Sequence, residues 1–237
     1  MTWSIVARDP ASGAFGIAIT TKFFAVGALC PHAMSHVGAL STQALVNPTF
    51  GPRGLRLLRE GVPAPEVARI LLAGDEGRET RQLHILDAAG HSAAHTGKDC
   101  IGWCGHLIRS GFSVAGNMLA GPAVIEDTAA FFAAHPDLPF AERLIGALDA
   151  GQEAGGDKRG KQSAALVIHS TEEYPELDIR VDDHAEPLVE LRRLYAVAQT
   201  HYMPFMRFMP SARSPAGIYD REIINAEIAR VQASLKR

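Results

Sequence analysis

Cysteines, basic clusters and long apolar runs are all scarce in this 237-residue sequence, and each shortage excludes a class of protein. The three cysteines are too few, and odd in number, for a disulfide framework, so we expect reduced thiols. The net charge of −3, with no Lys/Arg run interleaved with aromatic residues, argues against nucleic-acid binding. No apolar run approaches the ~20 residues that span a bilayer, so we expect no membrane partner.

Common targeting and catalytic motifs are also missing. The first residues have neither the basic region nor the apolar stretch of a secretory signal peptide, so we expect a cytoplasmic protein. No G-x-S-x-G elbow, Walker A loop or G-x-G-x-x-G fingerprint occurs, which argues against the corresponding serine hydrolases and nucleotide-binding proteins. The length and the 47% hydrophobic content fit one or two globular domains.

What the sequence does contain begins with its first strand. Residues 2–8 alternate with the period of two that is typical of a β-strand. Once the initiator methionine is removed, Thr2 carries a hydroxyl and a free α-amine whose pKa lies near ~7.7–8.0. Threonine with an N-terminal amine is a recognised nucleophile and base. The alternative is that Thr2 is only a β-branched residue that opens a strand.

The order of the elements predicts the fold class. Hairpins alternate with pairs of helices, which differs from the strict β-α-β alternation of a parallel sheet. We therefore predict an α+β fold, a four-layer αββα sandwich of two stacked antiparallel sheets flanked by helices. The predicted strands are residues 2–8, 14–21, 37–44, 81–87, 91–96, 101–108, 112–119, 163–168 and 177–181, and the predicted helices are residues 51–60, 62–73, 122–134, 140–150 and 186–198.

The last part of the chain differs in character. Residues 201–210 place three Met, two Phe and one Tyr between prolines, which is too apolar for exposure to water and unsuited to a long helix. Residues 219–235 have the spacing of an amphipathic helix. We predict a domain at residues 1–199 and a C-terminal arm at residues 200–237. The arm packs either on a second subunit, which makes the protein a homo-oligomer, or on its own core.

Several motifs resemble the N-terminal-nucleophile (Ntn) hydrolases, and the proteasome β-subunits in particular. Residues 16–22 match their second strand, residues 38–43 match their small-residue strand, and Ala115-Gly116-Asn117 matches the strand end that faces the nucleophile. Residues 157–165 are similar to their Asp-x-x-Ser-Gly-Gly loop, although Ser163 is displaced from the serine of that motif. The active-site lysine of the proteasome has no counterpart between Ala28 and Ser35.

A closer resemblance covers residues 1–199. Residues 21–27, 47–54, 116–119 and 155–164, in that order, are similar to a bacterial Ntn-hydrolase-like family of domains of unknown function, DUF1028. This resemblance implies the αββα fold. It also implies amide hydrolysis, without naming the substrate, and no cofactor.

If the resemblance extends to chemistry, Thr2 Oγ attacks an amide carbonyl and its own α-amine is the base. Lys22 is predicted to depress the amine pKa as a nearby positive charge. Asp157 is predicted to hold the ammonium group that forms transiently. The oxyanion is assigned to backbone N–H groups near Thr42 and Asn117, or to the Asn117 amide, because such donors stabilise developing charge by about 3 kcal/mol each.

Substrate contacts are predicted for four residues: Arg53, Arg159, Gln43 and Ser163. The two arginines are suited to a carboxylate, which a guanidinium binds through two parallel hydrogen bonds. A structural interpretation stays open for four of the predicted site residues. Lys22 and Asp157 would then pair with each other, Arg53 would lie on the surface and Asn117 would bond to loop backbone.

Two further interpretations stay open. His95, Cys100, Cys104 and His106 have residue types and spacing compatible with zinc, whereas the family resemblance implies no metal. The protein is either a hydrolase of a small-molecule amide or a catalytically degenerate Ntn fold that binds a ligand or acts as a scaffold. Retention of Met1 favours the second, and labelling of Thr2 by an electrophile favours the first.

Overall fold

Two antiparallel sheets lie at the centre of the computed structural model, which describes residues 2–235. The first sheet contains β1 (Thr2–Arg8), β2 (Phe15–Thr21), β7 (Trp103–Arg109), β8 (Phe112–Leu119), β9 (Ser163–His169) and β10 (Leu177–Val181). Its strand order is β10-β9-β2-β1-β8-β7. The second contains β3 (Pro31–Met34), β4 (Gly38–Ala44), β5 (Arg81–Asp87) and β6 (Ser92–Thr96), in the order β3-β4-β5-β6.

Helices cover the outer face of each sheet. Helices α1 (Phe50–Arg59) and α2 (Ala64–Ala73) pack on the second sheet, and α3 (Ala123–Ala134) and α4 (Phe140–Glu153) pack on the first. The facing sheets contact each other through β1, β2 and β8 on one side and β3, β4 and β5 on the other. The predicted αββα sandwich is therefore confirmed. Helix α5 (Pro187–Thr200) follows the last strand.

The two faces of β1 explain how the layers are held. Ser4 and Val6 point toward the second sheet, where Val6 joins an apolar cluster with Ala39 and Leu86. Trp3 lies on the opposite face beside α4, where a Cβ added at Gly151 would come within 2.8 Å of the Trp3 indole nitrogen. Because side chains alternate along a strand, Thr2 shares the inter-sheet face with Ser4 and Val6.

The structure corrects two predicted elements. Residues 31–34, which lie outside the predicted strands, form strand β3 at the edge of the second sheet. Strand β7 begins at Trp103, two residues after the predicted start at Ile101, and Cys100 lies outside it. Strand β8 ends at Leu119, as predicted.

The described chain divides into two compact units between Leu191 and Arg192. In the second unit, α6 (Tyr202–Met206) is the short helix that the proline-flanked apolar stretch allows, and α7 (Arg221–Ser234) is capped by the Asp220 carboxylate. An ion pair of 2.8 Å joins Arg207 to Glu227 of α7. The domain boundary at 199/200 stays a prediction. No helix in residues 2–235 is both long and apolar enough to cross a membrane.

Candidate active site

Thr2 lies at one end of a cavity of about 440 Å³ in the first unit. In the first sheet it stands between Thr21 of β2 and Asn117 of β8, its direct partners in the strand register. The side-chain oxygens of Thr2 and Thr21 are 3.0 Å apart. Thr2 retains only 8% of its accessible surface, so its hydroxyl faces the cavity and not bulk water.

The register places Thr21, and not Lys22, beside Thr2. Directly paired residues in a sheet share a face, and the next residue along the strand points to the other face. The ammonium group of Lys22 accordingly lies 3.2 Å from the Lys161 carbonyl oxygen and does not line the cavity. The geometry therefore does not support the role that we predicted for Lys22 as a charge next to the Thr2 amine.

Asn117 is held by a chain of buried amides. The Gln82 amide nitrogen donates to the carbonyl oxygens of Gly105 and Gly116, so the Gln82 Oε1 must be the acceptor on its other side. This oxygen accepts from Asn117 Nδ2 at 3.0 Å and from Gln43 Nε2 at 2.8 Å. The orientation of the Asn117 amide is therefore fixed, with its nitrogen toward β5 and also 3.5 Å from the Thr2 carbonyl oxygen.

The same chain continues between the sheets to a buried histidine. Gln43 Oε1 accepts from the Ser4 hydroxyl at 2.7 Å, which leaves the Ser4 oxygen as an acceptor for His84 Nε2 at 2.8 Å. His84 Nδ1 lies 2.8 Å from the Ser113 hydroxyl. These donor directions place a proton on His84 Nε2, and in the neutral imidazole Nδ1 then accepts from the Ser113 hydroxyl. Gln43 lines the cavity, but both ends of its amide belong to this network.

Burial lowers the pKa of His84 to about 3, and the nearby charge of His106 acts in the same direction. In the unfolded chain the imidazole pKa is about 6.5, so between these values the unfolded state binds more protons and stability falls as the pH falls. We expect about 2 kcal/mol of stability to be lost between pH 6.5 and 5.0 through His84. Guanidinium denaturation at the two pH values measures this loss.

His84→Gln removes the titrating group and is expected to remove that part of the pH dependence. His135→Gln, at an exposed histidine, is the matched control and should keep the wild-type difference between the two pH values. An unchanged pH dependence in His84→Gln would contradict the assignment.

Asp157 is occupied by its own loop. Its side chain is almost fully buried, and its oxygens accept the Lys22 backbone N–H at 2.9 Å and the Arg159 backbone N–H at 2.7 Å. The Arg159 guanidinium also contacts it at 3.3 Å. Asp157 therefore fixes the loop that carries Arg159 to the cavity wall, and it does not line the cavity itself.

Three other predicted residues also lie away from the cavity. The Ser163 hydroxyl donates to the Phe23 carbonyl at 2.6 Å and accepts the Val26 N–H, which ties the segment after β2 to β9. The Thr42 N–H donates to the Cys30 carbonyl at 3.1 Å, so it is not available to an oxyanion. Arg53 lies on α1 near Gly74. Of the predicted site residues, the cavity brings together Thr2, Gln43, Asn117 and Arg159.

The cavity wall contains two strained backbone positions. Ala44 and Met118, which follow Gln43 and Asn117, have φ of 68° and 55°. Residues with a Cβ rarely adopt positive φ, and such strain tends to cluster at functional sites. The wall segment after Ala44 is anchored from outside, because Arg81 donates to the Leu45 carbonyl at 2.6 Å and pairs with Asp75 at 2.9 Å. The Arg81 hydrogen bond, the largest cause, lowers the pKa of Asp75 to about 2.

The four candidate zinc ligands have other partners. His95 contacts the Arg78 carbonyl at 2.8 Å and His106 contacts Thr96 at 2.9 Å. The Cys100 thiol donates to the Arg81 carbonyl, and the Cys104 thiol to the Cys100 carbonyl. Within residues 2–235 no group of three or more His, Cys, Asp or Glu side chains is arranged to hold a metal ion.

Sequence reasoning missed Thr21, Gln82 and His84. A signal for the last two was present: residues 82–86 alternate Gln, Leu, His, Ile and Leu, so two polar residues share one face of a strand. All of β5 beyond Arg81 is buried, and this polar face therefore requires partners across the sheets. Thr21 had no local signal, because its position beside Thr2 depends on the register of β1 with β2.

The two facing antiparallel sheets and the helices that cover them define a four-layer αββα fold. Residues 2–191 match the family of unknown function DUF1028, and the chain belongs to this family, as its motifs predicted. It is also similar to the crystal structure of protein SPO2555 from Silicibacter pomeroyi, which is assigned to DUF1028. The TM-score is 0.86 and the identity 31%, over 93% of this chain and 96% of that one.

Anbu (ancestral beta-subunit) from Yersinia bercovieri matches with a TM-score of 0.41 and 10% identity, over 83% of this chain and 94% of that one. At this level the match carries no argument about fold or function. No curated protein matches the sequence.

Proposed function

We propose that the protein is an Ntn amidohydrolase that cleaves a small-molecule amide through Thr2 after removal of Met1. The observation that carries the proposal is the position of the Thr2 hydroxyl, which is buried at the end of a mainly apolar cavity and lies 3.0 Å from the Thr21 hydroxyl. A nucleophile in such a site is shielded from water, which strengthens its electrostatic interactions.

The chemistry follows from the groups at Thr2. The free α-amine takes the hydroxyl proton as Thr2 Oγ adds to the amide carbonyl carbon. The resulting ammonium returns that proton to the leaving amine when the C–N bond breaks, which leaves an ester on Thr2. Water then attacks the ester with the amine again as base, and the products are a carboxylic acid and an amine.

Asn117 is the donor that we assign to the oxyanion. One of its amide protons is directed at Gln82 at 3.0 Å, whereas its contact with the Thr2 carbonyl is 3.5 Å long and therefore weak. An oxyanion beside Thr2 can accept that weakly bonded proton while the amide keeps its hydrogen bond to Gln82. A preorganised donor of this kind contributes about 3 kcal/mol to transition-state stabilisation.

A second candidate function is a ligand-binding protein with a degenerate Ntn site. The observation in its favour is that neither Lys22 nor Asp157 lines the cavity, so the charged groups that the family resemblance implies are not beside Thr2. Cytoplasmic location and homo-oligomerisation through the C-terminal arm belong to the proposal in either case.

The intact mass of the native protein tests the proposal first. A mass that lacks one methionine leaves Thr2 as the terminus, and a β-lactone should then add one equivalent to the wild type and none to Thr2→Ala. A retained methionine would remove the terminal amine as base and favour the ligand-binding alternative.

A further inference from the structure

The mouth of the cavity exposes large apolar side chains from three separate segments. Phe23 follows β2, Leu45 follows β4 and Ile101 precedes β7, and they are 55%, 65% and 68% exposed. Single exposed apolar residues are ordinary on a protein surface, but a group of them around a cavity indicates a binding site. We call these three residues the apolar rim.

The deeper wall is also apolar. Val26 and Cys30 are buried in a cluster with Ile19 and Ala165, and Leu29 and Val46 pack against it and line the cavity. Burial raises the pKa of the Cys30 thiol to about 12, so this wall is uncharged at neutral pH. An apolar surface therefore extends from the rim to the inner wall.

Charge on the described lining is balanced. Arg159 and Asp99 are its two residues with a formal charge, one of each sign, and the Arg159 guanidinium contacts Asp157 behind the wall at 3.3 Å. The polar lining otherwise comes from hydroxyl and amide groups, with Thr2, Gln43 and Asn117 together at the inner end. The cavity thus has one polar end that suits a reacting amide, and apolar walls that suit an apolar substituent of that amide.

We propose that the cavity binds the apolar acyl group of the amide substrate, with the amide carbonyl at Thr2 and the acyl chain along the inner wall and the apolar rim. This inference rests on the proposed function for the identity of the reacting bond. The volume of about 440 Å³ lies in the lower half of the range for small-molecule sites, which fits a single acyl chain or ring. The substrate class is therefore an amide whose acyl group is a single apolar chain or ring.

Binding of primary n-alkanamides, from propionamide to decanamide, tests this proposal without turnover. We would titrate each amide into Thr2→Ala by calorimetry. Each added methylene that enters the apolar wall should tighten the Kd about fourfold until the cavity is full. The heat-capacity change of binding should become more negative along the series, because more apolar surface is buried. A Kd that does not depend on chain length would overturn the proposal.

Variants of the rim supply the second test. In the Thr2→Ala background, Leu45→Ser and Ile101→Ser should each weaken octanamide binding by about tenfold, since each removes several carbons that the bound acyl chain would cover. Both side chains are mostly exposed in the free protein, so the free energy of unfolding should not change. Val189→Ser is the matched control, because Val189 is 65% exposed on α5 outside the cavity, and its Kd should equal that of the parent.

Two outcomes separate this inference from the proposed function. Chain-length-dependent binding without hydrolysis by the wild type would reject the hydrolase and keep the acyl site. Hydrolysis of short amides with no increase in kcat/KM for longer acyl groups would support the hydrolase and reject the acyl site. If Leu45→Ser or Ile101→Ser dissociates an oligomer in sedimentation and leaves octanamide affinity unchanged, the rim is a subunit contact and the inference is overturned.

Discussion

Thr2→Ala is expected to lower kcat for amide hydrolysis by at least about 10³-fold, because loss of a nucleophile removes the covalent route and leaves only binding and oxyanion stabilisation. KM should change little, since one hydroxyl contributes a small part of the contact with an apolar substrate. The measurement is steady-state hydrolysis of the N-acyl amides, with the N-terminus of each variant established by mass.

Two variants control for this result. Thr2→Ser keeps a hydroxyl beside the α-amine and should retain measurable turnover. Thr171→Ala removes an exposed threonine side chain of the same size and should match the wild type. Undiminished turnover in Thr2→Ala would reject Thr2 as the nucleophile and leave the ligand-binding alternative.

Gln82→Met should destabilise the protein by about 3–5 kcal/mol, among the largest effects of a single substitution. Methionine has nearly the shape of glutamine but no hydrogen-bonding amide. The change removes the Gln82 donor from the carbonyls of Gly105 and Gly116, and the Gln82 acceptor from one amide proton each of Asn117 and Gln43. Partly satisfied polar networks are costly in a buried site, because the orphaned groups cannot reach water. Chemical denaturation measures the loss.

Gln162→Met is the matched control, because the Gln162 side chain bonds to Asp183 in an exposed region. Its free energy of unfolding should stay within about 0.5 kcal/mol of the wild type. Equal stability of the two variants would show that the inter-sheet network does not hold the sheets together.

The network also links stability to the proposed chemistry. Gln82 fixes which atom of the Asn117 amide faces β5, and Asn117 is the proposed oxyanion donor. Gln82→Met should therefore lower kcat in the fraction of the protein that remains folded. A smaller effect on KM is expected, since the apolar walls of the cavity are untouched. An active-site titration at a temperature where both proteins are folded separates this effect from unfolding.

Local sequence determined much of this protein. The period of two in residues 2–8 sets the first strand and places Thr2 on the same face as Ser4 and Val6. Residues 9–13, which include Asp9, Pro10 and Gly13, have turn chemistry between two strand patterns and so indicate the hairpin of β1 with β2. The alternation of hairpins with helix pairs predicts the αββα layers. These properties depend on short-range periodicity and turn chemistry, which neighbouring residues specify by themselves.

Only the tertiary structure decided which side chains meet at Thr2. Because Thr2 pairs with Thr21, Lys22 points to the opposite face. Asp157 accepts the backbone N–H groups of Lys22 and Arg159 and is not beside Thr2. Gln82 and His84 reach the site because β5 pairs with β4 and β4 faces the first sheet. A shift of one residue in strand register exchanges the two faces of a strand, and register between distant strands is set by packing of the whole core and not by local pattern.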